Sequence, residues 1–586
     1  MSSPTPPKKD AKELPTELRI VIAFALMLMI LVGTPFLARK LGISPAPATQ
    51  TPPVKSAVES KPEQAQSTNA VAPAPPTEAP APGAISAATE TTWELETPLY
   101  KVVLSNQGAV VKSWTLRDFK DSKNKPLEVV NQTGAEKVID DKTHEITGYP
   151  FSWDFRGQKP TVDLKTAKWV AHPAPDGLSV EYDFSDGKTF AQKTFAFDRA
   201  SYLLRYSDQA TLNGSPIPHL VEWRGGFGDM AVYSASGNQW TVRYDPVKGK
   251  PSTDLGKSAK NGPVNTDGLF TFAGIEDKYF AAVFLPPANA SLQTTTFDDV
   301  VGSGVDPSEQ PYPGVAVGGQ ATNQFDVYVG PKDLNALRKV NPNLQNIIAW
   351  GYTGFIAKPL FLILQWLTNG FVHNWGWSIM LLTLMINVAL LPLRVANLKS
   401  MRKMQKLQPE MSKINEKYKG IPMSDPRAAN KQQEMMDLYK QHGVNPMGGC
   451  IPMLIQMPFL WAFYTVLSVT IEMRNAPWLW ISDLSQPEHF AIRFLPLIMI
   501  GTSFLMQKMT PMAGGDPSQQ KVMQFMPLMW GVFFWSASSG LVLYWLTSNL
   551  VQIGQQWFFN KTSSPVVLTA APAKKAISSK DGRKRT

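Results

Sequence analysis

Residues 375–393 read WGWSIMLLTLMINVALLPL, nineteen positions without a charge. A helix rises about 1.5 Å per residue, so a stretch of this length is enough to cross the ~30 Å apolar core of a bilayer. Residues 376–393 therefore read as a membrane span. Downstream, residues 450–470, 492–506, 521–535 and 541–559 have the same character. Pro458, Pro496 and Pro527 fall within these stretches. Proline is tolerated in such helices because neighbouring helices satisfy the freed carbonyls. Over the 586 residues, hydrophobic types make up only 44% and mean hydropathy is −0.14. The averages conceal the spans; the placement of the apolar residues reveals them.

Upstream the pattern changes several times. Residues 344–375 are apolar but broken by Lys358–Pro359, which suits an amphipathic helix lying in the membrane interface. Residues 91–335 carry short alternating runs between turn signals. In SVEYDF, Val180, Tyr182 and Phe184 share a face, Asp186–Gly187 offers a turn, and Phe190, Phe195 and Phe197 follow. Phe325, Val327 and Val329 alternate in QFDVYVG. This region reads as one large all-β sandwich, with Trp93, Trp114, Trp153, Trp169, Trp223 and Trp240 filling its core or lining a sugar or peptide groove. Residues 38–90 are rich in Pro, Ala, Ser, Thr and Gln and read as a linker. Residues 20–37 form a charge-free run behind a polar 1–19 segment. A cleaved signal peptide is the rival reading there. No small-x-small cleavage pattern is present and Arg39–Lys40 follows directly, which favours a retained anchor.

Charge orients these segments. Residues 394–449 hold eleven Lys/Arg (among them Arg394, Arg402, Lys406 and Arg427) against five acids, which predicts a cytoplasmic loop. Counting spans onward places 471–491 outside and 507–520 inside. The tail 560–586, with seven Lys/Arg and one Asp, then falls inside. Counting backward places the β-region outside and the N-terminus inside. Were 347–367 a full span, the β-region would be cytoplasmic. The net charge of +10 mostly follows from this orientation. A single cysteine, Cys450, excludes a disulfide framework. The six histidines have no metal-ligand spacing, and no phosphate-binding, HExxH or GxSxG motif occurs. No enzyme, cofactor, metal or nucleic acid substrate is expected.

Two regions carry functional signals. Within 394–449, Met401, Met404, Leu407, Met411, Ile414 and Tyr418 recur at three- and four-residue steps, and Ala428–Gln441 supplies a second helix. The methionines either hold this helical hairpin together or form an adaptable surface for apolar partner segments. Its basic face suits anionic lipid, ribosomal RNA or a ribosome-bound chain. Within the spans, Thr383 and Asn387, Gln456, Thr465 and Ser468, Thr502 and Ser503, and Thr547, Ser548, Asn549 and Gln552 are polar. They serve either as interhelical hydrogen bonds or as the lining of a water-accessible groove. Such a groove could hold a client's polar loop while its apolar segment moves into lipid, driven by apolar burial and not by a nucleotide. A structural subunit anchoring the β-region and a small-molecule transporter remain as alternatives. The elaborate basic hairpin is more than an anchor needs, and five spans do not divide into inverted repeats.

These residues carry a resemblance. KMQKLQPEMSKINEKY (403–418), QQEMMDLYKQHGVNPMGGCIPMLIQMPFLWAFYTVL (432–467), FLMQKM (504–509), QQKVMQFMP (519–527) and SSGLVLYWLTSNLVQIGQQ (538–556), with 375–393, resemble the YidC/Oxa1/Alb3 family of bacterial membrane protein insertases, in its Gram-negative form with a large periplasmic domain. The resemblance implies an all-α membrane bundle of five helices plus an N-terminal anchor, with an extracytoplasmic all-β supersandwich. It implies insertion and chaperoning of inner-membrane proteins, alone or with the Sec translocon. Implied partners are nascent membrane-protein clients, the ribosome, the signal-recognition receptor and the phospholipid bilayer. It implies a groove built on Thr383, Asn387, Gln456, Thr465, Thr502 and Trp545, and a recruiting hairpin using Met401, Arg402, Met404, Lys406, Met411 and Tyr418. One departure stands out. The family pattern has an arginine four residues after the threonine, where this chain has Asn387. Arg394, seven residues on and on roughly the same helical face, is a candidate groove-mouth charge in its place.

Overall fold

The computed structural model describes residues 83–121, 123–131, 136–139, 142–145, 149–230, 238–288, 290–302, 309–421, 425–443, 451–490, 492–509 and 517–562. The expected anchor at 20–37, linker residues 38–82, Cys450 and the tail beyond 562 lie outside the described residues. The chain divides into two compact units. One comprises Ala70–Ala349 with Val469–Glu472, and the other holds the remainder.

The first unit is built from antiparallel sheets. Among the described residues these are sheets of ten, five, four and two strands. Their inward positions follow from the alternation of apolar residues. Strand Ser179–Ser185 buries Val180, Tyr182 and Phe184 and pairs with Thr189–Phe197 across the Asp186–Gly187 turn. Asp186 Oδ1 accepts from the Lys188 amide at 2.9 Å, and Gly187 takes φ +83°. Phe195 and Phe197 face the core as expected. Phe190 does not. It is five residues from Phe195, an odd step, so the pleat sends it to the other face. The intervening core position belongs to Lys193, whose Nζ donates to the carbonyls of Gly108 (2.8 Å), Ala109 (3.1 Å) and Phe151 (2.7 Å). Burial, opposed in part by Asp208, pushes this amine down to about 7. Trp114, Trp153, Trp169 and Trp223 are core residues, with Trp93 packed against them. On strand His219–Trp223, Glu222 meets Lys165 at 2.8 Å and Arg224 at 3.0 Å, and Arg224 reaches Asp299 at 2.6 Å. Burial alone would raise the Glu222 carboxyl, but Arg224 and Lys165 outweigh it and hold the group at about 2. Helix α1 (Leu334–Val340), capped by Asp333, closes this unit's last strand.

The second unit is helical. Its helices are α2 (Gly354–Leu367), α3 (Trp375–Ala389), α4 (Leu391–Lys406), α5 (Gln408–Lys417), α6 (Pro426–Gln441), α7 (Ile451–Val469), α8 (Phe494–Met509), α9 (Pro517–Trp535) and α10 (Ser539–Thr562). The Asn374 side chain starts α3 by accepting from the amides of Gly376 (3.0 Å) and Trp377 (3.2 Å). The apolar run 376–393 is not one straight helix. It ends at Ala389, and α4 leaves at 59°. Pro392 lacks the N–H that would continue the ladder, which explains the break.

By length and hydropathy, one described helix is fit to cross a membrane: α2 with its π-helical extension, Gly354–Val372. There are two such spans if α3 and α4 count as one bent span. The segment expected to lie in the interface therefore also has the length of a span. Phe494–Met509 and Phe525–Trp535 are apolar but shorter. Helix α10 is long but carries Thr547, Ser548, Asn549, Gln552, Gln555 and Gln556, which lower its mean hydropathy.

The basic hairpin forms as expected from α4, α5 and α6. Met404, Leu407, Met411, Leu438 and Tyr439 make its core, with Ile414 and Met435 against them. Of the two roles open to the hairpin methionines, Met404 and Met411 thus take the one that joins the helices. Among the described residues of the hairpin, Met436 is an exposed methionine.

Candidate functional site

Helix α10 is the polar hub of the second unit. Tyr544, Ser548, Gln552 and Gln555 recur at steps of four, four and three, so they share one face. On α3, Thr383 Oγ1 donates to the Ile379 carbonyl at 2.6 Å. Asn387 Nδ2 donates to the Thr383 carbonyl (2.9 Å) and to Ser548 Oγ (3.4 Å). Gln552 Nε2 donates to the same Ser548 hydroxyl at 2.9 Å, and Gln555 Nε2 to the Asn387 carbonyl at 3.3 Å. On α7, the Gln456 amide donates to the Tyr544 hydroxyl, and the Tyr544 ring stacks on Phe463 at 4.3 Å. On α8, Thr502 and Ser503 bond back to the Met499 carbonyl, while Asn549 Nδ2 reaches Ser503 at 2.8 Å and Thr502 at 3.3 Å. One helix thus hydrogen-bonds to three others. Each bond satisfies a polar group that could not be left bare in an apolar surround.

The residues singled out from sequence fall into separate places. Asn387 and Gln456 bond to the Tyr544–Gln555 face, while Thr383 bonds within α3, to Ile379 and Asn387. Thr502 meets the neighbouring Asn549. Thr465 lies apart, bonded to Thr353 at 3.0 Å. Trp545 points away from Gln456 and packs on Trp530 (5.6 Å) and Phe534 (5.0 Å) of α9. Its neighbour Tyr544 occupies the hub, and the four-residue spacing to Ser548 was the sequence signal for it. Arg394 lies beyond the 59° bend, so the straight-helix argument that put it on the face of Asn387 does not hold. Its Nε is buried without a hydrogen-bond partner.

The hairpin residues are likewise mostly engaged internally. Arg402 donates to the Phe559 carbonyl (3.2 Å) and Asn560 Oδ1 (3.0 Å) and covers the Phe559 ring at 4.3 Å. Tyr418 and Lys417 both bind Glu434, at 2.8 and 2.6 Å. Met401 is half-buried and Lys406 exposed.

Comparison with known proteins agrees over nearly the whole length. A family profile described as "YidC periplasmic domain" matches residues 92–363, and one described as "60Kd inner membrane protein" matches 366–565. A protein of Syntrophus aciditrophicus named membrane protein insertase YidC is 34% identical over 540 residues, covering 87% of this chain and 95% of that one. The chain belongs to the YidC/Oxa1 family of membrane protein insertases. A second member of this family, from Cupriavidus pinatubonensis, is 35% identical over 422 residues, 68% of this chain and 72% of that one. A solved structure titled "Active YidC insertase crystal structure with the first transmembrane domain resolved" is 19% identical, covers 80% of this chain and 93% of that one, and gives a TM-score of 0.34.

Proposed function

We propose that this chain inserts client segments into the inner membrane and assists their folding, using the face of α10 as the wall of a hydrophilic intramembrane groove. The observation that carries the reading is an inside-out distribution of polarity. Leu384, Leu497, Val532 and Leu550 are exposed on the helices, while Thr383, Asn387, Ser548 and Asn549 are buried between them. A water-soluble bundle has the reverse arrangement; a bilayer favours this one. On this reading α3, α7, α8, α9 and α10 are the five spans, the α4–α6 hairpin is cytoplasmic and the β-unit is periplasmic. The half-buried Gln456 and Thr502, at the edge of the hub, are the groove positions within a client's reach. Nascent clients are the primary partners, with the Sec translocon and the ribosome as assembly partners. The bonded state of the hub is the resting state. A client's polar groups replace these interhelical bonds at little net cost, because bonds are exchanged and not lost.

The test is photo-crosslinking in the full-length protein reconstituted with a ribosome-bound single-span client. Crosslinkers at Gln456 and Thr502 are expected to capture the client, and one at Trp545, turned toward α9, to capture less. Successful insertion with no capture at any of the three would overturn the groove.

A further inference from the structure

We infer that the turn Trp478–Ile481 is a membrane-interface anchor, in which Leu479 and the ring of Trp480 seat among the headgroups and upper acyl chains of the outer leaflet. The inference rests on the topology proposed above, which places the α7–α8 connection outside.

The turn is closed by two backbone hydrogen bonds, Trp478 N to Ile481 O and Ile481 N to Trp478 O, each 2.8 Å. Leu479 at its tip has φ +48°. Glycine or asparagine takes that conformation in ordinary tight turns, whereas a leucine is strained there. The strain holds a large apolar side chain outward, 64% exposed. Trp480 beside it is 43% exposed. Its indole N–H is already satisfied by Glu488 Oε1 at 2.8 Å, so the ring can enter an apolar layer without stranding a donor. Glu488 is itself fixed, its other oxygen accepting from the Leu495 amide at 2.9 Å at the start of α8. The base of the turn is equally rigid. The Trp478 ring lies 5.5 Å from that of Trp377, and a Cβ on Gly376 would fall 2.2 Å from Trp478 Cδ1. Residues 475–482 contain no charge.

Lipid is the occupant because the tip continues a belt. In a bundle of alternating spans, the start of α3, the α7–α8 connection, the start of α8 and the end of α9 lie at one level. The exposed aromatics there are Trp377, Trp480, Phe494 and Trp535. Aromatic rings concentrated at one level mark a membrane–water boundary.

The test uses the full chain with Cys450→Ser, carrying Leu479→Cys or, in the control, Leu505→Cys at an exposed position eleven residues into α8. Each is labelled with an environment-sensitive fluorophore and reconstituted in phosphatidylethanolamine–phosphatidylglycerol vesicles. Spin-labelled lipids quench either near the headgroup or near the acyl end. The expected result is loss of most emission at 479 to the shallow quencher and little to the deep one, with the reverse order at 505. Quenching at 505 but none at 479 would overturn the anchor while leaving the bundle in the membrane. Quenching at neither would instead overturn the topology. A probe at 479 shielded from water yet unquenched by lipid would assign the tip to a protein contact and also overturn the anchor. Leu479→Gly guards against a folding artefact. It relieves the positive φ, so its melting temperature in detergent should not fall, yet the protein should lose protection of the turn from aqueous proteases in vesicles.

Discussion

Asn387 shows how far a single residue can be read. Sequence supplied its face and its polarity. It did not reveal that both amide protons are spent, on Thr383 and Ser548. Interhelical bonds in membranes average about 0.6 kcal/mol, a factor of about three in an equilibrium. Asn387→Ala should therefore cost the bundle less than about 1 kcal/mol, measured by steric trapping in bicelles. Insertion of a client with a polar tail should fall by more than that factor, while an apolar-tailed client inserts as before. Equal effects on both clients would make Asn387 purely structural. Glu222 belongs at the same scale. Its folded value of about 2 lies below the ordinary 4.5, so its stabilisation is present above pH 4.5 and is lost as pH falls toward 2. The difference is worth about 3 kcal/mol to the β-unit. Denaturant unfolding of the full chain, followed by its β-sheet circular dichroism, should weaken between pH 5 and about 2, and Glu222→Gln should flatten that dependence. Alternation could not locate this strand, because all five residues of HLVEW are buried, and the charges around it find partners up to 75 positions away.

Elements were more legible than contacts. The hairpin was visible because three- and four-residue steps of Met, Leu and Tyr interrupt a basic background. Whether those side chains faced each other or solvent depended on α6, brought back across a turn that sequence cannot fold. Leu407 is fully buried in that core, so Leu407→Ala should destabilise the hairpin by about 2–5 kcal/mol. Limited proteolysis in detergent should then cut within α4–α6, whereas Lys406→Ala should leave the pattern unchanged. The 375–393 stretch was legible as apolar, yet its bend was not anticipated, although Pro392 was in plain view. Proline in a span can either kink it or be absorbed, and neighbouring helices decide which. Pro392→Ala should straighten the α3–α4 junction and lengthen the distance between spin labels at 385 and 402.

At the scale of the whole molecule, two different periodicities in one chain announced two units, and the structure separates them near residue 350. Long apolar runs, short alternating runs and charge asymmetry are properties of composition along the chain, so they survive without coordinates. The sheet order did not, since pairing in a ten-stranded sheet depends on contacts far apart in sequence. Protease added outside spheroplasts should digest the β-unit and spare the α4–α6 hairpin. Inverted vesicles should give the opposite result, and cleavage of the β-unit from the cytoplasmic side would reverse the proposed orientation. The hub has a consequence for how the protein itself is made. Helix α10 follows α3, α7 and α8 along the chain, so those helices emerge from the ribosome before the side chains that will bond them exist. Asn387, Gln456 and Ser503 must wait, unpaired by α10, until translation has passed Tyr544, Ser548 and Asn549. Assembly of this bundle is therefore completed only once α10 has been made, and a nascent chain stalled before residue 540 should remain an open, protease-sensitive set of helices.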